Sequence, residues 1–375
     1  MNENERKLII ELLKFTENKE EITYLMKDEN INWIKILGFI SYHRIAGFVF
    51  QKINNINIRL FEFPVFFSTF MINQSQCTRN QYQFNEIKII ANSFNKNDVE
   101  YIFLKGAILN QYIFKNGARA SNDIDILINK KNIKKASSIL YSLGYTQGIY
   151  NSITDNIIPF KNSDLNISLK TRGETCPFVK VVNEPALKTI DVDLNFSLDW
   201  TANYNQKLID RVLKNRKKIV FNETDYIYFA SFEDNIIELC THLYKDMALL
   251  DIVKKRKVFD LYKLLDIYYF FNIYYDEINF DDLMHNIELF NSEKPVYFAL
   301  AYLVEIFDNF RKEKILVLMN YLKDKISNLD FLDTIFDQYN TNDIYITSIA
   351  LKDRIFEYNI INKYKRKESD NEKCY

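Results

Sequence analysis

Glycine and proline are scarce in this sequence, with 7 glycines and 5 prolines among 375 residues. These two residues mark many tight turns, so their scarcity argues against a turn-rich all-β fold and favours long helices. Hydrophobic residues make up 47% of the chain and charged residues 26%, which is an ordinary globular balance. The length and composition therefore predict a folded protein with one or two hydrophobic cores.

The chain also lacks an excess of charge, a long apolar run and paired cysteines. Its 49 basic and 50 acidic residues give a formal net charge of -1, so no global field would hold it on a nucleic acid or an anionic membrane. No segment reaches the ~20 apolar residues of a membrane span, and the N-terminus does not resemble a signal peptide. The four cysteines form no CxxC pair. We therefore expect a cytoplasmic protein with reduced thiols, no membrane partner and no nucleic-acid substrate.

The hydrophobic period changes twice along the chain. Apolar residues from Trp33 to Val49 recur at helical spacing, and Pro64 is placed to begin a long helix that ends near Asn95. Short β-prone runs follow, and after Trp200 the helical period returns. The pattern predicts an α+β fold with four parts: an N-terminal helical region (1–96), a small mixed-sheet α/β core (97–225), a C-terminal helical domain (226–363) and a disordered tail (364–375).

Three β-prone runs define the predicted core. They are Val99–Leu104, Asp123–Ile128 and Thr189–Phe196. Helices are predicted between and after them, at Ala107–Lys115, Asn132–Leu143, Ser231–Asp246, Val258–Tyr274, Phe280–Phe290, Pro295–Phe310 and Glu313–Ile326.

The second run carries two acidic residues, Asp123 and Asp125. On a strand, residues i and i+2 point to the same face, so both carboxylates project together and repel each other unless a cation lies between them. Mg²⁺ suits such a pair, since it binds one or two carboxylates together with phosphate oxygens. Asp191, on the third run, could supply the further carboxylate of a two-metal site. An acidic pair of this kind is also common on the exposed face of an edge strand.

The residues that precede this pair favour a functional site. Lys105 and Gly106 follow the first strand and open a helix, a place where backbone N–H groups and a lysine can face an anion. Glycine lets the backbone approach a phosphate closely. An anion-binding turn beside a metal-binding carboxylate pair is what phosphoryl or nucleotidyl transfer requires.

Two runs, Leu104–Ala107 and Gly117–Ile128, resemble the signature of the uncharacterised bacterial nucleotidyltransferase family of the polymerase-β nucleotidyltransferase superfamily. That signature is Leu-Lys-Gly-Ala, a short helix, then Arg, three residues and Asp-Ile-Asp-Leu-Leu-Val. The resemblance covers roughly residues 30–290 and is strongest over 99–128. Weaker similarity lies in His43-Arg44, Ile190–Phe196, Glu233–Leu243 and Asp260–Leu265.

The resemblance implies a role for each matching residue. Asp123, Asp125 and Asp191 would hold two Mg²⁺ ions, with Asp191 completing the site or acting as base for the acceptor. Lys105 and Gly106 would contact the triphosphate of an NTP, with ATP the expected nucleotide, and Arg119 or Ser121 would assist there.

The sequence departs from the family pattern at two places on the third strand. Asp193 replaces the usual His and Leu194 the usual Trp. A carboxylate at 193 is compatible with a place in the metal site or with a different acceptor pocket. As in the family generally, Lys-Gly stands where the wider superfamily has a Gly-Ser phosphate motif.

The resemblance predicts an enzyme that transfers a nucleoside monophosphate, AMP from ATP, to a small-molecule, peptide or protein acceptor. Two alternatives stay open: an antitoxin-like nucleotidyltransferase that modifies a partner toxin, and a module that binds a nucleotide or a partner without chemistry. We expect His242 to be a hydrogen-bonded core histidine, His43 and Arg44 to pack or form salt bridges, and Asp260 to cap or bridge helices.

Overall fold

The computed structural model describes residues 1–56, 62–184, 187–199, 201–222, 225–256, 261–308, 310–337 and 344–367. Its α-helices are α1 Glu3–Leu13, α2 Lys19–Met26, α3 Trp33–Tyr42, α4 Ala46–Ile56, α5 Phe63–Lys96, α6 Gly106–Ile108, α7 Ile133–Ser142, α8 Asn162–Thr171, α9 Gln206–Lys214, α10 Phe232–Ala248, α11 Leu250–Arg256, α12 Leu261–Tyr274, α13 Phe280–Leu289, α14 Glu293–Ile306, α15 Glu313–Lys325 and α16 Leu351–Arg354. Its strands are β1 Tyr101–Phe103, β2 Asp123–Ile128, β3 Thr146–Asn151, β4 Asn156–Pro159, β5 Phe178–Glu184, β6 Leu187–Asn195, β7 Lys217–Val220, β8 Tyr226–Phe229, β9 Thr334–Phe336, β10 Ile344–Ile346 and β11 Lys365–Arg366.

Asparagine side chains begin the first three helices. The side chains of Asn2, Asn18 and Asn32 each accept a hydrogen bond from the backbone N–H three residues later, which satisfies one of the free donors of a helix N-terminus. The long helix α5 follows the prediction from Pro64, since it runs for 34 residues with proline in its first turn. None of the described helices is both long and apolar enough to cross a bilayer.

Eight strands form one mixed sheet in the order β4-β3-β5-β6-β2-β1-β8-β7. The central strand β2 is antiparallel to β1 and parallel to β6. In the parallel pair Asp123 lies opposite Asp191, and Asp125 lies opposite Asp193. Helices combined with this mixed sheet agree with the predicted α+β class, whereas the polymerase-β type of the core stays a prediction.

Alternation along β2 separates an apolar face from an acidic one. Ile124, Ile126 and Ile128 are buried in a cluster with residues of α5 and α7, such as Ile87 and Leu140. Leu127 points the other way, into the larger cluster that includes the helical part of the protein. Because side chains alternate between faces, the carboxylates at 123 and 125 share the side of Leu127 and turn toward those helices.

The N-terminal and C-terminal helices share one core. The largest buried cluster contains side chains from α1, α3, α10, α12 and α14 together with residues of β1 and β2. Near its edge, Phe15 donates its backbone N–H to the Tyr268 hydroxyl at 3.1 Å, and the rings of Tyr268 and Phe307 stack with centroids 4.0 Å apart. The helices that precede the sheet in the chain and those that follow it therefore pack together over its acidic face.

The structure confirms the three predicted strands and most predicted helices to within a few residues, and it differs in three places. The segment expected to be one helix over 107–115 is the three-residue α6 followed by a π-helix, Leu109–Ile113. The sheet continues past residue 225 into β8. The region expected to be helical up to 363 ends in a three-stranded sheet, β11-β10-β9.

The strands that the prediction missed, β8 to β11, are only two to four residues long. Strands this short carry too little alternation to be distinguished from loop by pattern alone. Two predictions concern residues outside the described ones: the capping or bridging role of Asp260, and disorder of the tail beyond residue 367.

Candidate active site

The acidic face of the sheet borders a cavity of ≈300 Å³. Strands β2 and β6 form its floor, and helices α10 and α12 close its other side. Three strand carboxylates line it, those of Asp123, Asp125 and Asp193. The turn Lys105-Gly106 and the loop 119–122 complete the wall nearest to β2.

The structure brings most of the predicted site residues together, with one exception among the carboxylates. Asp191 pairs in register with Asp123 but does not line the cavity. One oxygen of its carboxylate is buried without a hydrogen-bond partner among the described residues. Burial raises the pKa of Asp191, and the cation that opposes this rise is Arg79 of α5. The geometry thus favours Asp193 over Asp191 as the third carboxylate of the cavity.

Asp125 is held from both sides. Its Oδ1 accepts a hydrogen bond from the Asn195 side chain at 3.1 Å, and its Oδ2 lies 3.4 Å from the Lys105 ammonium. The same ammonium lies 3.5 Å from a carboxylate oxygen of Glu238 on α10. Burial alone would lower the pKa of Lys105, but Asp125 and Glu238 together raise it above its usual range, so this lysine stays charged.

The backbone of Lys105 adopts φ 43° and ψ −118°. This conformation suits glycine, and for other residues it costs of order 1–3 kcal/mol. It places the ammonium beside Asp125 and lets the following residues begin α6. The strained turn at the end of β1 therefore brings the Lys105 side chain to the acidic face of β2.

Burial raises the pKa of several carboxyl groups in and beside the cavity. The Asp123 side chain is exposed at the start of β2, yet desolvation by nearby protein atoms, followed by the charge of Asp125, raises its pKa. Burial, followed by Asp125 and Glu174, raises the pKa of Asp193 well above its usual value. Burial also raises the pKa of Glu238 to about 7. This crowding of negative charge favours a bound cation.

This donor set fits Mg²⁺ in one specific way. No group of three or more His, Cys, Asp or Glu side chains within the described part of the chain is arranged to hold a metal ion. Mg²⁺ usually takes only one or two carboxylates from the protein and completes its shell with water and substrate phosphate oxygens. Asp123 and Asp125 are the pair that would supply the protein share of such a shell, with Asp193 beside them.

Gly106 fits closely against the loop that precedes β2. A Cβ at this position would lie 2.5 Å from the Ser121 Oγ and 3.0 Å from a guanidinium nitrogen of Arg119. The absence of a side chain thus lets the turn after β1 touch the residues before Asp123.

We expect Gly106→Ala to destabilise the protein by about 1–3 kcal/mol, because the new methyl group overpacks a buried contact. Thermal unfolding would measure the loss. Gly38→Ala is a suitable control, because a Cβ at that position meets nothing within 4 Å. Gly144→Ala is not, since that residue has φ +88°. Equal melting temperatures for the Gly106 and Gly38 variants would contradict the packing role.

Arg119 and Ser121 line the cavity, but their polar groups already have partners. The Arg119 guanidinium forms two hydrogen bonds with Asp266 of α12, at 2.7 and 2.8 Å. The Ser121 hydroxyl donates to the backbone carbonyl of Asp123 at 3.2 Å. The Arg119 contact holds the loop before β2 against α12. A direct contact of either residue with a triphosphate stays a prediction.

Two helices add cations to the far wall of the cavity. Lys245 of α10 and Lys263 of α12 both line it, and burial lowers the pKa of Lys245 and lowers that of Lys263 well below its usual value. Lys263 forms an ion pair with Asp246. His242 also lines the cavity, with its Nε2 3.5 Å from the Lys263 ammonium, so it is not a histidine of the apolar core.

Glu238, Lys245 and Lys263 were not singled out from the sequence, and His242 was expected to be a core histidine. A usable signal was present, since Glu238, His242 and Lys245 follow each other at spacings of four and three within α10. That spacing places them on one face, and charged groups on a buried face need partners or a ligand. Glu174, between α8 and β5, also lines the cavity.

Comparison with protein-family models gives one match to this chain. The model of a family described as uncharacterised nucleotidyltransferase matches residues 29–308. The matched segment contains β1, β2, β6, α10 and α12, and hence every element that contributes to the cavity. A search of curated proteins returned no match.

Proposed function

Because the chain belongs to the uncharacterised nucleotidyltransferase family, we propose that the carboxylate cavity transfers a nucleoside monophosphate from an NTP to an acceptor. Membership supports a role in nucleotidyl transfer. The observation that carries the proposal is that Asp123 and Asp125 share one cavity with the Lys105-Gly106 turn. We further propose ATP as the nucleotide, and hence AMP as the transferred group.

Asp123, Asp125 and Asp193 are the residues that would hold Mg²⁺ in this cavity, with two ions as the proposed number. Bound Mg²⁺ supplies positive charge that neutralises the triphosphate and the transferring phosphoryl group. We place Asp193 in the role first predicted for Asp191, since Asp193 lines the cavity and Asp191 does not.

The cations around the cavity are suited to the phosphates. Lys105 stays charged beside Asp125. It belongs to the turn with Gly106, where an anion would approach the backbone closely because no side chain intervenes. Lys245 and Lys263 have lowered pKa values because they are buried. A triphosphate would add negative charge that opposes this effect of burial and favours the charged form of both lysines. We therefore assign the β- and γ-phosphates to the side of the cavity that these lysines line.

The proposed reaction is a displacement at phosphorus. The acceptor nucleophile attacks the α-phosphorus, a new bond forms there, and the bond to the oxygen that bridges the α- and β-phosphates breaks. Pyrophosphate leaves with that electron pair. The proton of the nucleophile passes to a carboxylate or to solvent, and Glu174 is suited to receive it because burial raises its pKa at the cavity wall.

The proposal predicts that a nucleotide stabilises the protein only together with Mg²⁺. A non-hydrolysable ATP analogue at a hundred times its Kd should add about 2.7 kcal/mol to the free energy of unfolding. Thermal unfolding with the analogue, with Mg²⁺ or EDTA, and with each of the four common NTPs would measure this effect. The repelling carboxylates are the physical reason for the metal requirement.

A second candidate is a nucleotide-binding module without chemistry. The ion pair between Lys105 and Asp125 favours it, because a lysine already offsets part of the negative charge there. Stabilisation by the analogue in EDTA equal to that in Mg²⁺ would select this candidate. No stabilisation under either condition would contradict both.

The proposed acceptor is a small molecule, a peptide or a protein, and a partner toxin is the acceptor in the antitoxin-like variant of the same chemistry. We do not propose a nucleic-acid acceptor, since the net charge of the chain is -1. A cytoplasmic location is proposed with this function, because NTP is its substrate.

A further inference from the structure

A second cavity lies on the other side of the loop that leads into β2. Its volume is ≈440 Å³, larger than that of the carboxylate cavity. Residues 120–122 line both cavities, so this loop lies between them. Helix α5 provides the outer wall, where Met71 and Ile72 form an apolar part. A group bound in this cavity would therefore lie next to Asp123, the residue that follows the loop.

The second cavity contains two arginines, Arg44 and Arg79. Neither a hydrogen bond nor an ion pair joins Arg79 to another residue in the part of the chain that the structure describes. Other arginines that are partly or fully buried differ from Arg79, since Arg119 pairs with Asp266, Arg211 with Asp234 and Arg354 with Asp333. Burial, and next the charge of Arg44, lower the pKa of Arg79, whereas the more distant charge of Asp191 opposes this effect. An unpaired, partly buried guanidinium is a costly arrangement that an anion would relieve.

Arg44 connects the two cavities. It lines both of them, and its guanidinium lies 4.7 Å from the ring centroid of Tyr262 with one nitrogen 3.4 Å from the tyrosine hydroxyl. The charge of Arg44 also opposes the rise in the pKa of Asp123. The arginine thus lies between the metal-binding side and the second cavity.

The backbone of Arg44 is in a conformation that favours glycine. Its φ is 60°, and it follows α3 as the residue just past the C-cap. The hydrogen bonds are those of a Schellman motif, with the N–H of Arg44 bound to Ser41 and that of Ile45 bound to Ile40. Glycine is the usual residue there, since other residues lose roughly 1–2 kcal/mol. An arginine at this position indicates a use for its side chain.

We propose that this second cavity binds the acceptor, and that the acceptor carries an anionic group, a phosphate or a carboxylate, which Arg79 and Arg44 hold. This inference rests on the proposed function, because it names the substrate class of the same reaction. The apolar wall of Met71 and Ile72 would contact a short hydrocarbon part of that acceptor. The triphosphate belongs in the first cavity, since Asp125 and Lys105 line the first cavity and not the second.

The test compares Arg79→Gln with Lys88→Gln. Lys88 lies on the same helix and lines neither cavity, so it controls for the loss of one positive charge from α5. Both proteins and the wild type are first saturated with Mg²⁺ and a non-hydrolysable ATP analogue, which fills the first cavity. Inorganic phosphate and acetate are then titrated as separate probes by calorimetry or thermal shift.

We expect Arg79→Gln to weaken binding of the better probe about tenfold or more, as the loss of a charge-assisted contact should. Its affinity for the analogue should stay unchanged, as should both affinities of Lys88→Gln. The melting temperature without ligand should change little, because Arg79 has no hydrogen bond or close ion pair in the described residues and loses only its longer-range interaction with Asp191. The stronger of the two probes distinguishes a phosphate-bearing from a carboxylate-bearing acceptor.

Two results would overturn the inference. One is a loss of analogue affinity in Arg79→Gln, which would place the triphosphate in the second cavity. The other is equal probe binding by Arg79→Gln, Lys88→Gln and the wild type. Failure of the proposed function is separate, since it appears as a wild-type protein that does not bind the analogue with Mg²⁺.

Discussion

Replacing either Asp123 or Asp125 with asparagine is expected to lower Mg²⁺-dependent NTP turnover by about 10³-fold or more. Each substitution removes a negative charge from the proposed metal site. A bound metal contributes several kcal/mol of transition-state stabilisation, and each 1.36 kcal/mol corresponds to a tenfold change in rate. The initial rate of pyrophosphate release at saturating NTP, over a range of Mg²⁺ concentrations, measures the effect.

The fold should survive the Asp123→Asn substitution. Burial and the charge of Asp125 raise the pKa of Asp123, so the ionised carboxylate is unfavourable in the protein without metal. A neutral amide of the same shape removes that repulsion. The melting temperature of the metal-free variant should therefore equal or exceed that of the wild type, which separates a catalytic loss from an unfolded protein. Unchanged turnover in both the Asp123 and Asp125 variants would contradict the assignment.

Asp191 and Asp193 provide a matched pair of further variants. Both lie on β6, two residues apart, and each faces one of the β2 carboxylates across the parallel ladder. Asp193→Asn should weaken turnover strongly because Asp193 lines the cavity, whereas Asp191→Asn should have a small effect because Asp191 does not. The opposite order would restore Asp191 to the role that the sequence comparison gave it.

This pair shows how far the sequence could predict the site. The alternation in Asp123–Ile128 was enough to place two carboxylates on one face, since a strand has a fixed period of two. The same period makes Asp191 and Asp193 equivalent in pattern. The choice between them depends on where α10 and α12 cover the sheet, which no local pattern records. The motif therefore predicted which strand carries the third carboxylate, whereas the packing of helices over that strand decides which of its two aspartates lines the cavity.

Local sequence pattern could not predict the ion-pair partners of Lys105 and Arg119 on the C-terminal helices, for a related reason. Lys105 meets Glu238 and Arg119 meets Asp266, and both acidic residues lie on C-terminal helices more than 130 positions later in the chain. The resemblance implies that Arg119 or Ser121 assists at the triphosphate, which stays a prediction. The structure adds that the Arg119 guanidinium forms two hydrogen bonds with Asp266. Pairing at this sequence distance follows from the shared helical core, not from spacing.

The pair of Arg119 and Asp266 leads to the largest expected effect on stability. Their side chains are 8% and 3% exposed. Asp266→Asn would leave the Arg119 guanidinium buried without its carboxylate, a change that typically costs about 3–5 kcal/mol. Thermal or urea unfolding of the variant, compared with the wild type, measures the loss. The double variant Arg119→Met with Asp266→Leu should be less destabilised than Asp266→Asn, because it leaves no unpaired charge.

The chain contains a matched control for this prediction. Arg311 and Asp276 form the same two-bond arrangement, with both distances 2.7 Å, but their side chains are 53% and 72% exposed. Asp276→Asn should therefore change the unfolding transition little, since water replaces the lost partner. Equal losses in the Asp266 and Asp276 variants would show that burial does not set the strength of the Arg119 pair.

The same substitution also reaches the site. Arg119 is the residue through which α12 holds the loop that precedes Asp123. In Asp266→Asn this loop loses its contact with α12, so the position of Asp123 becomes less defined. We therefore expect a lower kcat for Asp266→Asn even at temperatures where the variant is folded, whereas Asp276→Asn keeps the wild-type value. A folded Asp266 variant with unchanged kcat would limit this pair to stability and remove it from the positioning of the carboxylates.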